Sequence, residues 1–246
     1  MARAGIMVFM TRPATIAFLG GLLPIVAVVG AYLLNVIAGT GIESRFVCVP
    51  YLDGCVSISR AARSGPGLIL FKAVMLPCAV LLLLSWHGVR CWLNRLGACS
   101  RRRSKTIFWL GATGAVFLVF YVTWLGTEGE WYHWLRRYGV TFYFGGTALA
   151  QLILVSVLLP ARNRLAAGNV GRPIIALSGL VALQWLLGVF SIAKHALFDD
   201  PAVIDRVENL VEWWFALPMA LAFVVIALMF RRTGFGSGSR VENSVN

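Results

Sequence analysis

Six runs of mostly apolar residues, each close to the length that a bilayer-spanning helix requires, alternate along the chain with shorter polar stretches. A spanning helix needs about 20 such residues, and the runs cover 14–37, 66–89, 107–125, 138–159, 174–197 and 210–230. Apolar positions within a run are continuous and do not alternate with polar ones, so the pattern predicts helices and argues against the strands of a membrane barrel. Gly20, Gly21, Pro24, Pro77, Gly145, Gly146, Gly188 and Pro218 fall inside the runs. Neighbouring helices in lipid can satisfy the backbone groups these residues free, and small residues let helices approach closely. The first run follows Arg3 and Arg12, as a secretory leader would, but it exceeds the ~7–15 apolar residues of a leader and is taken as a span. The expected fold is all-α: a polytopic membrane protein forming one membrane domain over 1–246, a six-transmembrane-helix bundle with its N- and C-termini cytoplasmic.

Composition agrees with that pattern. Of the 246 residues, 59% are hydrophobic and only 13% charged, against about a quarter charged in soluble domains. So few charges cannot cover the surface of a water-soluble core of this size, and the apolar content excludes a disordered chain. The formal net charge is +12, and its distribution explains it. With the first end inside, 14 of the 22 basic residues lie on the cytoplasmic side, whereas nine of the ten acids lie outside, Glu242 being the exception. That asymmetry is the signature of membrane orientation. It calls for no nucleic-acid partner, and no nucleic-acid-binding module is present. Arg101, Arg102, Arg103 and Lys105 form an orientation cluster that also suits anionic lipid headgroups.

The longest extracytoplasmic connection, 38–65, holds Cys48 and Cys55 on either side of an Asp53-Gly54 turn. A disulfide between them suits an oxidising compartment; two free thiols are the alternative, and a zinc site lacks a second pair of ligands. The loop is too long for a simple connector and is expected to pack over the bundle. Two further outer connections, 127–137 and 198–209, carry or lead into Trp131, Tyr132, His133, Trp134, Trp213 and Trp214. Such aromatics suit an interfacial belt or a shelf for headgroups.

Ionisable residues within or beside spans are functional candidates, and here they gather in the outer half. Lys72 lies near the start of the second run, Arg137 opens the fourth with His133 just before it, and Lys194 and His195 lie near the end of the fifth. Glu208 and Glu212 stand four residues apart at the start of the sixth, hence on one face. With Arg60 and Arg63 in the long loop, these predict one polar cluster at the extracytoplasmic mouth. It is either a structural network or a site for an anionic headgroup. Catalytic templates fare poorly. His87 stands about 22 Å of helix rise beyond Lys72 and so cannot share a metal with His133 and His195; no metal and no cofactor is implied. Ser57 or Ser59 with His133 and Asp53 would make a hydrolytic triad, but no nucleophile elbow accompanies them. No catalytic residue is assigned. Gln151 and Gln184 suit interhelical hydrogen bonds.

Val49-Pro50-Tyr51, followed by Ser57-Ile58-Ser59-Arg60, Gly65-Pro66 and Phe71, resembles the Pro-x-Ile-Ser…Pro…Phe pattern of the FRAG/DRAM/SFK family. That family includes the GPI-anchor remodelling factor and the damage-regulated autophagy modulators. Arg137-Tyr138-Gly139 with Phe142 and Phe144, and the acidic Glu208 and Glu212, are similar in position. The resemblance implies six spans, a long ordered first outer loop, cytoplasmic ends and a role in membrane-lipid or lipid-anchor handling. The leading expectation is therefore a lipid-handling membrane protein. Arg60, Arg63, Lys72, Arg137 and Lys194 would hold an anionic headgroup by charge-assisted hydrogen bonds, Glu208 would orient a base, and His133, His195 and Glu212 would complete the site. The partners are then membrane lipids, with a membrane-protein partner as a further case. A small-solute transporter or channel would need a polar path across the midplane, which the sparsely polar inner halves do not offer. A non-catalytic membrane scaffold or assembly subunit is the remaining reading.

Overall fold

The computed structural model describes residues 13–40, 48–165 and 169–236, except for the side chain of His195. Arg3, Arg12, Glu43, Arg45, Arg240 and Glu242, which enter the charge asymmetry, lie outside the described residues. Those residues form helices and no strand: α1 (Pro13–Ile37), α2 (Pro50–Asp53), α3 (Ile58–Ala61), α4 (Gly65–Leu96), α5 (Arg101–Trp124), α6 (Glu130–Leu165), α7 (Gly171–Leu197) and α8 (Pro201–Arg232). Six of them, all but α2 and α3, are long and apolar enough to cross a membrane. The chain is thus an all-helical, multi-pass membrane protein.

The helices outrun the apolar stretches that mark them. At 32 residues each, α4 and α8 are about 48 Å long, well beyond the ~30 Å hydrocarbon layer. Hydropathy marks the length in contact with hydrocarbon, whereas local capping sets where a helix begins. The Ser100 hydroxyl accepts from Arg103 N at the start of α5, and the Asp200 carboxylate accepts from Ala202 N, with Pro201 as the first residue of α8. The expected outer connections at 127–137 and 198–209 are consequently mostly helix, and Trp131, Tyr132, His133 and Trp134 sit on the first turns of α6.

Each long helix packs on the next, and α8 closes back on α1, giving a ring in the order α1, α4, α5, α6, α7, α8. The seam between α6 and α7 is the thinnest. Close approach depends on small residues: Gly21 rests against the Ala220 carbonyl, and Gly146 against the Leu110 carbonyl. Pro13 and Gly236 meet at one end of the bundle, the terminal end; α2 and α3 lie over the other, the cap end. Towards the terminal end the centre of the ring is filled. Trp86 meets Phe223 edge to face at 5.2 Å and Trp92 meets Phe230 at 5.5 Å, with Leu82 and Leu154 buried beside them. Gln151 reaches across from α6 to the Met219 carbonyl at 3.0 Å, as an interhelical bond in lipid should.

From Cys48 the long connection between α1 and α4 forms a cap, and its two short helices replace the single loop that the sequence suggested. Cys48 and Cys55 are disulfide-bonded. The bond closes a small ring around α2, inside which Val49 N donates to the Asp53 carboxylate at 2.7 Å. From α1, Tyr32 donates to the Cys48 carbonyl. The fully buried Asn35 ties three elements together: it donates to the Ala61 and Ser64 carbonyls at 2.8 and 2.9 Å and accepts from Gly67 N at 2.9 Å. From α8, Arg206 donates to the Asp53 carbonyl at 2.6 Å and Asn209 to the Gly54 carbonyl at 2.8 Å. Trp213 and Trp214 donate their indole N–H groups to Val56 and Tyr51 carbonyls, both at 2.8 Å.

This clasp brings the α8 backbone so close to Gly54 that a Cβ there would strike the Arg206 carbonyl, and Gly54 also has φ +61°. Gly54→Ala should therefore lower stability by about 2 kcal/mol or more, combining left-handed strain with a backbone clash. The expected readout is a lower Tm for the purified protein, together with protease cleavage within 48–64 that the wild type resists. An unchanged Tm would show that the cap does not rest on α8 as described.

Candidate functional site

The cap end carries almost all of the ionisable residues singled out above, but the fold distributes them among separate contacts. Arg60, on α3, is gripped by α8: its guanidinium donates to both Asp205 carboxylate oxygens and to Asn209 Oδ1, each at 2.8 Å. Asp205 and Asn209 stand four residues apart and so share a helix face. Lys194, on α7, pairs with Glu208 at 2.8 Å; the lysine side chain is only 4% exposed and the glutamate 60%. Lys72 turns away from α8 and donates to the Thr123 carbonyl at 3.1 Å, closing the last turn of α5. Glu208 and Glu212 serve different neighbours despite their spacing. Glu208 faces Lys194, and Glu212 lies near the backbone N–H groups of Ile58 and Ser59 at the start of α3.

A second locus is a crevice between the start of α4 and the α5–α6 turn, where Arg63, His133 and Arg136 lie beside Glu128 and Glu130. Arg136, not its neighbour Arg137, anchors that turn by donating to the Trp124 carbonyl at 3.3 Å and to the Thr127 carbonyl. Arg137 is exposed on α6. His195 is in α7 near Lys194, its side chain lying outside the described residues. The residues of a hydrolytic triad are not assembled. Ser57 caps α3 by accepting from Arg60 N, Asp53 holds Val49 N, and His133 lines the other crevice. Among the described residues no three His, Cys, Asp or Glu side chains come together as a metal-binding group.

The third locus was not visible in the sequence. Directly beneath the cap, the ring leaves a narrow, partly open slot. Tyr51 and Ile58 of the cap roof it, and Phe71, Met75, Leu118 and Met219 wall it. One carboxylate, Glu212, lines it, as do the tyrosines Tyr121 and Tyr143. Burial raises the Tyr51 phenol above its ordinary value, so it stays neutral and serves as roof and hydrogen-bonding group only. The Tyr121 hydroxyl is buried and has no hydrogen-bond partner among the described residues. Sequence reasoning missed this slot because its polar members belong to three different helices. The available signal was the face of α8 on which Asp205, Asn209, Glu212, Trp213 and Ala216 recur at helical spacing, continuous from cap to slot.

No family model, no curated protein and no solved structure matches this chain.

The Lys194–Glu208 pair has a buried cation and an accessible anion, so removing one partner is not equivalent to removing the other. Glu208→Gln leaves a buried ammonium without its counter-charge and should cost about 1–2 kcal/mol, between the values for exposed and fully buried pairs. Adding Lys194→Met should recover most of that loss, because the desolvated charge is gone. Thermal unfolding of the two single variants and the double variant measures the coupling; strictly additive losses would contradict a direct pair.

Proposed function

We propose that this protein handles a membrane lipid or lipid anchor, with both chain ends in the cytoplasm and the disulfide-tied cap on the extracytoplasmic face. The observation that carries the reading is the slot. It is apolar along most of its walls, roofed by the cap and closed towards the terminal end by packed side chains, with Glu212, Tyr121 and Tyr143 as its polar members beneath the roof. A blind apolar pocket with a few convergent polar groups suits an amphiphile held in place. A transported solute would need a polar path, and the packed pairs Trp86–Phe223 and Trp92–Phe230 occupy that position. The resemblance to the FRAG/DRAM/SFK family leads to the same functional class. An anionic headgroup would draw on Arg63 and Arg137, which have no carboxylate partner among the described residues, since Arg60 and Lys194 already hold Asp205 and Glu208. The basic residues Arg101, Arg102, Arg103, Arg231 and Arg232 at the terminal end support the orientation, and so does a disulfide at the opposite end.

Two measurements test this reading. Lipid extracted from purified protein should include a species retained through detergent exchange, and Ala216→Phe, which fills the slot wall, should reduce its amount at least fivefold while Tm stays within a few degrees. Equal retention in the variant would dissociate lipid from the slot. For orientation, an impermeant maleimide applied to intact cells should label Glu128→Cys. It should label the exposed native Cys91 only after permeabilisation; the reverse pattern would invert the topology.

A further inference from the structure

The polar end of the slot has a chemical preference of its own, and the inference drawn from it rests on the lipid-handling reading above. Glu212 is the one carboxylate on the slot wall. An ionised carboxyl has about four acceptor positions and no donor, and the N–H groups of Ile58 and Ser59 lie near only one side of it. The nearby cation, Arg60, is engaged by Asp205 and Asn209, so no ion pair is formed by Glu212 among the described residues. Lining the same space is Tyr121, 5% exposed, whose hydroxyl has no hydrogen-bond partner among the described residues. An orphaned buried hydroxyl is costly, and more so in a membrane interior where water does not compete. The two groups are complementary to a third that is missing: one that donates to the carboxylate and meets the tyrosine hydroxyl as donor or acceptor.

We propose that Glu212 and Tyr121 form a binding site for the hydroxyl or ammonium end of a long-chain alcohol or amine, whose alkyl chain lies along the slot. An alcohol donates to Glu212 and accepts from Tyr121 with one oxygen. An alkylammonium donates to both and supplies the counter-charge that Glu212 lacks. A phosphate or fatty-acid carboxylate brings no counter-charge to Glu212 and, whenever that carboxyl is ionised, sets a second negative charge beside it, which costs rather than gains. The alkyl part has a place to go: from Glu212 the α8 wall continues through Ala216 and Met219 to Ala220, about 12 Å at 1.5 Å per residue. The site therefore discriminates by headgroup charge, with Arg63 and Arg137 outside it left for any anionic part of a larger lipid.

The test is saturation binding of four ten-carbon probes to the full chain in phosphatidylcholine nanodiscs, with empty nanodiscs subtracted: decanol, decylamine, decanoate and decyl phosphate. The expected result is specific binding of decanol and decylamine, with decanoate and decyl phosphate at least tenfold weaker. Glu212→Gln keeps an oxygen for the Ile58 and Ser59 amides and should weaken decylamine at least tenfold. Tyr121→Phe should weaken decanol two- to tenfold, the range of one neutral hydrogen bond. Decyl phosphate binding as tightly as decylamine, or binding of all four probes unaltered by both substitutions, overturns the headgroup assignment and leaves the lipid-handling reading standing. Specific binding of none of the four overturns both. If Glu212→Gln lowers Tm by more than 10 °C, the ranking of probes on the wild type and the Tyr121→Phe result decide the matter alone.

Discussion

The structure depends on one face of α8 holding the backbone of the segment that connects α1 to α4. Arg206, Asn209, Trp213 and Trp214 each donate to a main-chain carbonyl of that segment, and Glu212 lies near two of its main-chain N–H groups. The physical requirement behind this is strict. Irregular backbone at the edge of a membrane cannot leave its polar groups unpaired. Two four-residue helices and the turns around them expose many such groups, far more than the segment satisfies internally. Side chains of α8, with Tyr32 and Asn35 of α1, supply the missing partners. The disulfide then shortens the span that α8 must hold, by closing the ring around α2.

From that clasp follows the division of the bundle into two unlike halves. Below, large rings from α4 and α8 interlock across the axis, and Gln151 bonds the Met219 carbonyl. Above, α8 must stand where it can reach the cap, and the bulk of its side chains there is spent on the loop and not on the centre. Trp213 illustrates the exchange: its indole is fully buried, bonded to the Val56 carbonyl and packed edge to face on Tyr51 at 5.1 Å. A tryptophan used in this way is not available to plug the axis, as Trp86 and Trp92 do further down. The slot is thus the geometric remainder of building a cap, and its lining is the other side of residues that hold the roof.

How far this was legible in the sequence depends on the range of the interactions involved. The six long helices are written in local hydropathy, and the Cys48–Cys55 pairing in local spacing. Helix ends were misjudged where caps such as Ser100 and Asp200 act beyond the apolar runs. The expected single polar cluster depended on depth alone, which a helical rise can estimate. Azimuth decides which side chains meet, and it depends on how the ring closes. Lys72 and Lys194 are placed at the cap end, yet one faces the end of α5 and the other α8. Trp213 and Trp214, whose composition suggested an interfacial belt, are cap ligands because α8 presents them to carbonyls 157 and 163 positions distant in sequence. Tyr121 carried no local signal at all; its interest comes entirely from what surrounds it.

Glu212 belongs to both constructions, since it seats the start of α3 and lines the slot. That double role has a thermodynamic consequence. Whatever donates to Glu212 from the slot acts on the same carboxylate that faces the Ile58 and Ser59 amides, so the free energy of filling the slot and the free energy of seating the cap are linked. By reciprocity, an occupant that orders the carboxylate for those amides steadies the cap by as much as a seated cap improves binding. An occupant that pulls the carboxylate away loosens it by the corresponding amount. Tyr51 adds a second contact of the same kind, with its ring on the slot roof and its carbonyl held by Trp214. Occupancy of the slot and order in the cap are therefore two readings of one equilibrium.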